Sequence, residues 1–225
     1  MKMDFTTPAM ARHEIVDRTF ASFSKNLKNI DLKKCRLFIN VDPLPKNGKQ
    51  KEVVKVVKKY FGEVIYNYPT KANFSAACNW LWSNAESTCI FHIEDDWVLN
   101  QPVDVNYLLK FFEKYKKLLT IQLRAYRFKY DKIALSPCIM HKNLYQAVGG
   151  NLREDINPEV QVRGEKFGII MPYPSGNISH KGKIITYPKT SRKIILQDIG
   201  RAWIKKSRYR KQKVKKARFV SWEER

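Results

Sequence analysis

The chain has 225 residues, and its 43 Lys and Arg against 21 Asp and Glu give a formal net charge of +22. Hydrophobic residues make up 44% and aromatic residues 12%, which excludes an intrinsically disordered chain. No apolar run approaches the roughly 18 residues that span a bilayer, and the N-terminus lacks a signal-peptide core. We expect a soluble, cytoplasmic protein whose charge favours nucleic acid, nucleotides or acidic membrane surfaces.

The first half of the chain alternates between the two kinds of regular structure. Apolar spacing predicts helices over residues 11–27, 49–61 and 73–85, and strands over residues 36–41, 63–67 and 88–93. Pro8 lies ahead of the first helix, where proline is tolerated. This β-α-β order is typical of an α/β sheet.

The second half continues the pattern and ends in a basic segment. It predicts helices over residues 104–118, 143–148 and 156–166 and strands over 119–123 and 133–140. The last helix leads into the segment 167–171 and a loop over 172–180. Residues 201–225 hold eleven Lys or Arg and two Glu, with aromatic residues interleaved. We therefore expect one domain over residues 1–200 and a basic tail over 201–225. A solvated, frayed helix over 201–218 is the plain alternative.

Three adjacent carboxylates follow the strand predicted at residues 88–93, in the segment "CIFHIEDDWVLN". Ligands of open α/β sheets bind at the carboxyl ends of the strands, which is where Glu94, Asp95 and Asp96 fall. Neighbouring negative charges repel, and a hard divalent cation such as Mg²⁺ or Mn²⁺ relieves that repulsion. A solvated acidic turn paired with lysines is the alternative.

The histidine and cysteines near this segment have a structural interpretation. His92 precedes Glu94 by two residues on a packed strand, so we assign it to the strand rather than to a metal. The four cysteines are scattered without the spacing of a zinc site. We expect them to be buried thiols.

The segment "KANFSAACNWLWSNAESTCIFHIEDDWVL" resembles the middle of family-2-like glycosyltransferases with the GT-A fold. In that family an Asn-containing helix precedes a strand that ends in an Asp-x-Asp-type motif, which Glu94-x-Asp96 matches with one conservative change. The resemblance implies a Rossmann-like α/β/α sandwich of three layers with a mixed central sheet. It also implies Mn²⁺ or Mg²⁺ held by Asp96, Glu94 and His180, the last in "GNISHKG".

Other segments extend the resemblance over about residues 5–187. "LSPCIMHKNLYQAVGGNLREDINPEVQVRG" is similar to the acceptor side of the family, where a Gly-Gly turn precedes the catalytic base, here Glu159 or Asp155. "TTPAMARHE" resembles the family's segment after the first strand, here a short strand at about residues 3–7, and "FINVDP" resembles the end of the second strand. This implies that Arg12 and Asp42 lie near the nucleotide. The resemblance also implies donor contacts for Asn73, Glu94 and Asp95. A plain reading makes Asp42 a turn former.

The resemblance implies metal-dependent, inverting transfer of a sugar from a nucleotide sugar, here a UDP-sugar, to an acceptor hydroxyl. The basic surface is consistent with phage-type enzymes that modify hydroxymethylated bases in DNA. A lipopolysaccharide or lipid-linked sugar at a membrane surface is a second acceptor class. A non-catalytic nucleic-acid-binding protein stays open as a third interpretation, and the oligomeric state is not specified by the sequence.

Overall fold

A computed structural model describes residues 3–44, 49–116, 118–123, 133–162, 184–187, 195–207, 209–213 and 220–224. Within these ranges, no helix combines the length and the apolar character needed to cross a bilayer. The segments predicted at residues 167–171 and 172–180, with His180, lie outside the described residues.

The helices agree in place with most of the predicted ones and are generally shorter. They are α1 (His13–Asn26), α2 (Gln50–Val57), α3 (Phe74–Asn84), α4 (Val105–Lys114), α5 (Asn143–Ala147), α6 (Pro158–Val162) and α7 (Gly200–Lys206), with a 3₁₀ turn at Leu32–Lys34. The strands are β1 (Asp4–Met10), β2 (Leu27–Lys28), β3 (Arg36–Asp42), β4 (Glu63–Asn67), β5 (Cys89–His92), β6 (Trp97–Leu99), β7 (Val103–Asp104), β8 (Thr120–Leu123), β9 (Cys138–His141), β10 (Ile184–Tyr187), β11 (Leu196–Asp198), β12 (Tyr209–Lys213) and β13 (Val220–Glu224).

Seven strands form one mixed sheet in the order β10-β8-β9-β5-β1-β3-β4. Strand β9 runs antiparallel to both of its neighbours, whereas the other pairs in the sheet are parallel. Because β5, β1 and β3 are parallel neighbours, their carboxyl ends meet at one edge. That edge brings together the chain after Met10, Asp42 and His92.

Helices cover both faces of the sheet, which confirms the three-layer α/β/α architecture. Alternation along β3 places Leu37 and Ile39 in the core under α1, α2 and α4, and Phe38 in the core under α3, α5 and α6. Phe20 and Leu81 are fully buried in these two cores, respectively. The described chain is therefore one domain with a core on each side of the sheet.

Strand β1 is longer than predicted and contains Pro8, which lies ahead of α1 as expected but inside a strand. Pairing of β1 with β5 ends at Thr6, whose carbonyl accepts from the Ile93 amide at 2.9 Å. By alternation, the Pro8 nitrogen faces the side that β5 has left, so its missing N–H breaks no ladder. On the same side, the Met10 amide donates to Asp95 instead.

The C-terminal segment carries structure that the sequence pattern did not reveal. Strand β11 pairs antiparallel with β6, directly after the acidic triplet, and β12 pairs antiparallel with β13. The alternative of one frayed helix over residues 201–218 is therefore wrong for residues 209–213. Alternating Lys and Gln in "YRKQK" have no apolar period, which is why the strand was missed.

The prediction that the cysteines are buried thiols is confirmed for three of the four. The thiols of Cys35, Cys78 and Cys138 are buried and that of Cys89 is half-buried, and all four are free. Burial raises the pKa of each thiol above its ordinary value. These side chains act as small apolar residues of the core.

Candidate functional site

A cavity of about 280 Å³ opens at the carboxyl edge of the sheet, where β1, β3 and β5 end. The last residues of β1, the first turn of α3 and the start of α6 form its walls. Seven sequence-predicted residues line it: Arg12, Asp42, Asn73, Glu94, Asp95, Asp96 and Glu159. Residues distant in the sequence thus share one cavity.

Asp95 is held by the protein rather than left open to the cavity. Arg12 donates to both of its carboxylate oxygens, from Nε to Oδ2 at 2.9 Å and from Nη2 to Oδ1 at 2.6 Å. The Met10 amide donates to Oδ2, and the Thr19 hydroxyl donates to the Asp95 carbonyl. Burial alone would lower the pKa of Arg12, but the charges of Asp95 and Asp96 raise it. Arg12 therefore stays protonated and anchors the triplet.

Asp96 is shared between this anchor and the cavity. Its Oδ2 accepts from Arg12 Nη2 at 2.8 Å, and 19% of its side chain is exposed. Its carbonyl accepts from the Ile199 amide, and Gly200 packs so closely that a Cβ there would overlap the carboxylate. Burial, reinforced by Asp95, raises the pKa of Asp96 against the opposing effect of Arg12.

The surroundings of Glu94 are unfavourable for a negative charge. One oxygen accepts a hydrogen bond from Trp97 Nε1 at 2.7 Å. Burial raises the pKa of Glu94 well above its ordinary value, and the charges of Asp96 and Glu159 raise it further. A cation entering the cavity would relieve this repulsion.

The residues present fit a divalent cation for which substrate and water supply most of the ligands. Mg²⁺ is commonly bound by one or two carboxylates together with substrate phosphates, and Glu94 and Asp96 can supply two. Asp95 is committed to Arg12. Among the residues that the structure describes, no three His, Cys, Asp or Glu side chains form a ready metal cluster. The cavity therefore offers a partial ligand set.

Asp42 and Asn73 join the second strand end to helix α3. The Asp42 carboxylate accepts from Asn40 Nδ2 at 2.7 Å and from the Asn73 amide at 3.1 Å. Burial raises the pKa of Asp42 to about 7. Asn73 caps α3 by accepting from the Ala76 amide, and its side-chain amide donates to the Glu154 carbonyl. Asp42 is thus part of the cavity wall as well as a strand end.

The two candidates for a general base lie in different surroundings. Glu159 lines the cavity, and its Oε1 accepts from the Leu135 amide at 3.2 Å. Asp155 is exposed in a two-pronged ion pair with Arg153, at 2.7 and 3.0 Å. The hydrogen bonds from Arg153 lower the pKa of Asp155. The structure brings Glu159 into the cavity and leaves Asp155 off its wall.

His92 lies beneath the site and is fully buried, in agreement with its assignment to the strand. Its Nδ1 lies 2.9 Å from the Thr6 hydroxyl, and the Trp82 ring packs edge-on against it. Burial lowers the pKa of His92 to about 3, so the ring is neutral.

Two residues at the site were missed by sequence reasoning, Gly200 and Trp203. The Arg12 guanidinium lies 5.2 Å from the centre of the Trp203 ring, which stacks in turn on Tyr209 at 5.9 Å. A cation over an aromatic face is favourable, so α7 completes the packing around the anchor. No local pattern could have linked α7 to Arg12, because the two lie at opposite ends of the sequence.

No family model and no curated protein matches the sequence. Solved structures do match by fold. They include residues 1–349 of TarS from S. aureus, with a TM-score of 0.59 and 12% identity over 87% of this chain and 60% of that one. The TarS complex with UDP-GlcNAc gives 0.59 and 11% identity, over 87% of this chain and 58% of that one.

A mannosyltransferase from Pyrobaculum calidifontis, in complex with GDP-Man and Mn²⁺, also matches. Its TM-score is 0.56 at 8% identity, over 85% of this chain and 58% of that one. The chain thus spans three fifths or less of these structures, and only 36% of a longer TarS chain. At these identities the likeness concerns the fold, and the chain has the three-layer α/β fold of these sugar-nucleotide-binding structures.

Proposed function

We propose that the protein transfers a sugar from a nucleotide sugar to an acceptor hydroxyl. One observation carries the proposal: two half-buried carboxylates with raised pKa values, Glu94 and Asp96, share a cavity with Asp42 and Glu159. Such crowding of acids is typical of a site that receives a cation with its ligand. The fold likeness to structures solved with UDP-GlcNAc and GDP-Man supports the same class of ligand.

In this proposal Glu94 and Asp96 would hold Mn²⁺ or Mg²⁺. When bound, the ion supplies positive charge that stabilises the leaving diphosphate. Arg12 holds Asp95 and Asp96 in place by hydrogen bonds, and its guanidinium in turn lies over the Trp203 ring. The residue at 180 was assigned to the same ion by resemblance, and it lies outside the described chain.

Asp42 and Asn73 would contact the nucleoside end of the donor. The Asp42 carboxylate already accepts two hydrogen bonds, which fixes its direction at the cavity wall. A carboxylate has further lone pairs for a ribose hydroxyl. Because burial raises its pKa to about 7, we expect donor affinity to change near neutral pH.

Glu159 would act as the general base. The acceptor oxygen attacks the anomeric carbon, the bond from that carbon to the diphosphate oxygen breaks, and Glu159 takes the acceptor proton. The electron pair of the broken bond leaves on the diphosphate, and one displacement inverts the anomeric centre. The hydrogen bond from the Leu135 amide orients the carboxylate.

For the acceptor we propose a hydroxymethylated base in DNA, supported by the net charge of +22. Lys and Arg contacts to phosphates supply most of the affinity of nucleic-acid-binding proteins. Glycan or lipid-linked acceptors form the comparison group in the transfer assay.

The donor part is tested by thermal unfolding with UDP, UDP-GlcNAc and GDP-Man, each with and without Mn²⁺. Binding at a hundred times Kd stabilises by about 2.7 kcal/mol, which raises Tm by roughly 5 to 10 °C for a chain of this size. We expect a metal-dependent shift for the wild type and none for Asp96→Ala. The exposed Asp155→Asn removes the same charge and should keep the shift.

Transfer itself is followed by release of nucleoside diphosphate in the presence of acceptor. Glu159→Gln should lose turnover by at least about a hundredfold and keep the nucleotide-induced shift, since it removes the base alone. Unaltered turnover in Asp96→Ala, or no shift with any nucleotide and metal, would contradict the proposal.

A further inference from the structure

The outer face of α2 carries lysines at helical spacing. Lys51, Lys55 and Lys58 follow one another at intervals of four and three residues, so they form one stripe, and all three are exposed. Lys59 lies beside the stripe and pairs with Asp17 of α1 at 3.4 Å. Like charges at this spacing destabilise a helix, and an anionic partner would offset that cost.

An aromatic pair lies next to this stripe, on the edge strand β4 and the residue beyond it. The rings of Tyr66 and Tyr68 are 4.9 Å apart, and the Lys58 ammonium lies 5.9 Å from the centre of the Tyr66 ring. Tyr66 is 47% exposed, and among the described residues only Tyr107 is a comparably exposed large apolar side chain. Tyr68 is partly buried, so Tyr66 is the more exposed ring of the pair.

This surface is continuous with the carboxyl edge of the sheet. Gln50 at the start of α2 donates to the carbonyls of Val41 and Pro69, which ties the helix to the loop after β4. Asn67 donates to Asn40 at 2.7 Å, and Asn40 in turn donates to Asp42 in the cavity. A strand lying along the lysines would therefore lead towards the site.

We propose that Lys51, Lys55, Lys58, Tyr66 and Tyr68 form a binding surface for single-stranded nucleic acid. Lysines contact the phosphates and tyrosines stack on unpaired bases, a combination that binds single strands with little sequence preference. A duplex keeps its base faces stacked inside and offers nothing to the tyrosines. In a single strand, a base can also enter a cavity without being flipped out of a helix.

If the proposed function holds, this surface specifies that the acceptor is a single strand. Only that link to the acceptor rests on the proposed function, whereas the binding of single strands does not. Binding is measured without donor or metal, on the full chain, by fluorescence anisotropy of a labelled oligothymidylate across a range of salt concentrations. Failure of donor binding would leave the result unchanged, so the two proposals are tested separately.

The main variant is Lys51→Gln/Lys55→Gln/Lys58→Gln. Its matched control is Lys110→Gln/Lys114→Gln/Lys116→Gln, which removes three exposed lysines from and just after α4, one of them stacked on Tyr115. With a slope of about −0.7 per phosphate contact, the α2 variant should have a salt slope shallower by about 2. Its Kd should rise by roughly tenfold or more at low salt, and that of the control by less than about threefold.

The aromatic part is tested by Tyr66→Ala, with Tyr66→Phe retaining the ring and Tyr107→Ala as the matched exposed tyrosine. Loss of a stacking ring should weaken binding by about fivefold or more in Tyr66→Ala alone. Equal losses in the α2 and α4 triple variants would overturn the proposal. So would tighter binding to duplex than to single strand, or an α2 variant that loses binding only to phosphatidylserine vesicles.

Discussion

Two arginine–carboxylate clusters lie at opposite ends of strand β1, and they differ in how completely the acids are satisfied. At the amino end, the buried Asp4 accepts from Arg36 Nε and Nη2 at 2.9 and 3.0 Å. It also accepts from the amides of Glu86 and Ser87, both at 2.8 Å. Burial alone would raise the pKa of Asp4, but these four hydrogen bonds lower it overall.

At the carboxyl end, one buried arginine forms ion pairs with two carboxylates. The third carboxylate has no cationic partner among the described residues. Arg12 bonds to Asp95 and Asp96, whereas Glu94 accepts from the uncharged Trp97 indole. The pKa values of Glu94 and Asp96 are raised, in contrast to that of Asp4. An acid with enough donors stabilises the fold, whereas acids short of donors mark a place where a ligand supplies the missing charge.

The largest effect that sharpens this contrast is expected for Asp4→Asn. An amide places donor hydrogens against groups that are already donors, so we expect a loss of about 3 kcal/mol in the free energy of unfolding at pH 7. Because the pKa of Asp4 is lowered in the folded state, the loss should shrink as pH falls below about 4. Chemical denaturation at several pH values measures it.

Asp4→Asn should still show the nucleotide-induced increase in Tm, starting from its own lower Tm. Glu86→Gln, at the exposed partner of Arg36, is the control and should cost less than about 0.5 kcal/mol. If Asp4→Asn kept its stability but no longer bound nucleotide, Asp4 would belong to a binding site and the assignment of its cluster to stability would be wrong.

A smaller effect is expected for Gly200→Ala, which disturbs the site without removing a carboxylate. The added methyl group would overlap the Asp96 carboxylate, so that side chain must move. Alanine favours a helix more than glycine does, so the global fold should not suffer. We expect nucleotide-dependent turnover to fall about tenfold, or roughly 1.4 kcal/mol. Steady-state kinetics measure it, with the exposed Ala202→Ser as control; unchanged kinetics would mean that Asp96 does not depend on α7.

The smallest effect is expected for Glu94→Gln in the absence of metal. A carboxyl whose folded pKa is raised stabilises the protein at low pH and loses that contribution as pH rises above about 4. Glutamine does not ionise and still accepts from Trp97. The free energy of unfolding of the variant should therefore exceed that of the wild type by about 1 kcal/mol at pH 7. Near pH 4 the two values should be equal. Thermal melts in EDTA at both pH values measure this difference, with the exposed Glu113→Gln as control. Equal Tm values of wild type and Glu94→Gln at pH 7 would contradict the prediction.

The sequence predicted the parts of the fold that depend on local periodicity. Helices α1 to α4 and strands β3 to β5 have apolar spacing that matches their burial, and the acidic triplet was placed at a strand end. The pattern could not reveal that Asp95 turns towards Arg12, since that depends on the register of β1 and β5. It also could not reveal α7 over the triplet, because this contact joins segments far apart in the chain.

The pairing of β11 with β6 has a consequence for how the molecule folds. It brings Asp198 beside Trp97, across a loop of roughly a hundred residues, and closing such a loop costs about 4 kcal/mol of chain entropy. Because this cost precedes the contacts that offset it, we expect contacts at this separation to form later than local ones. On this expectation the acidic triplet acquires its final surroundings late in folding, when residues 195–207 pack against it. We therefore expect the carboxyl edge of the sheet to be completed after the strands that form it.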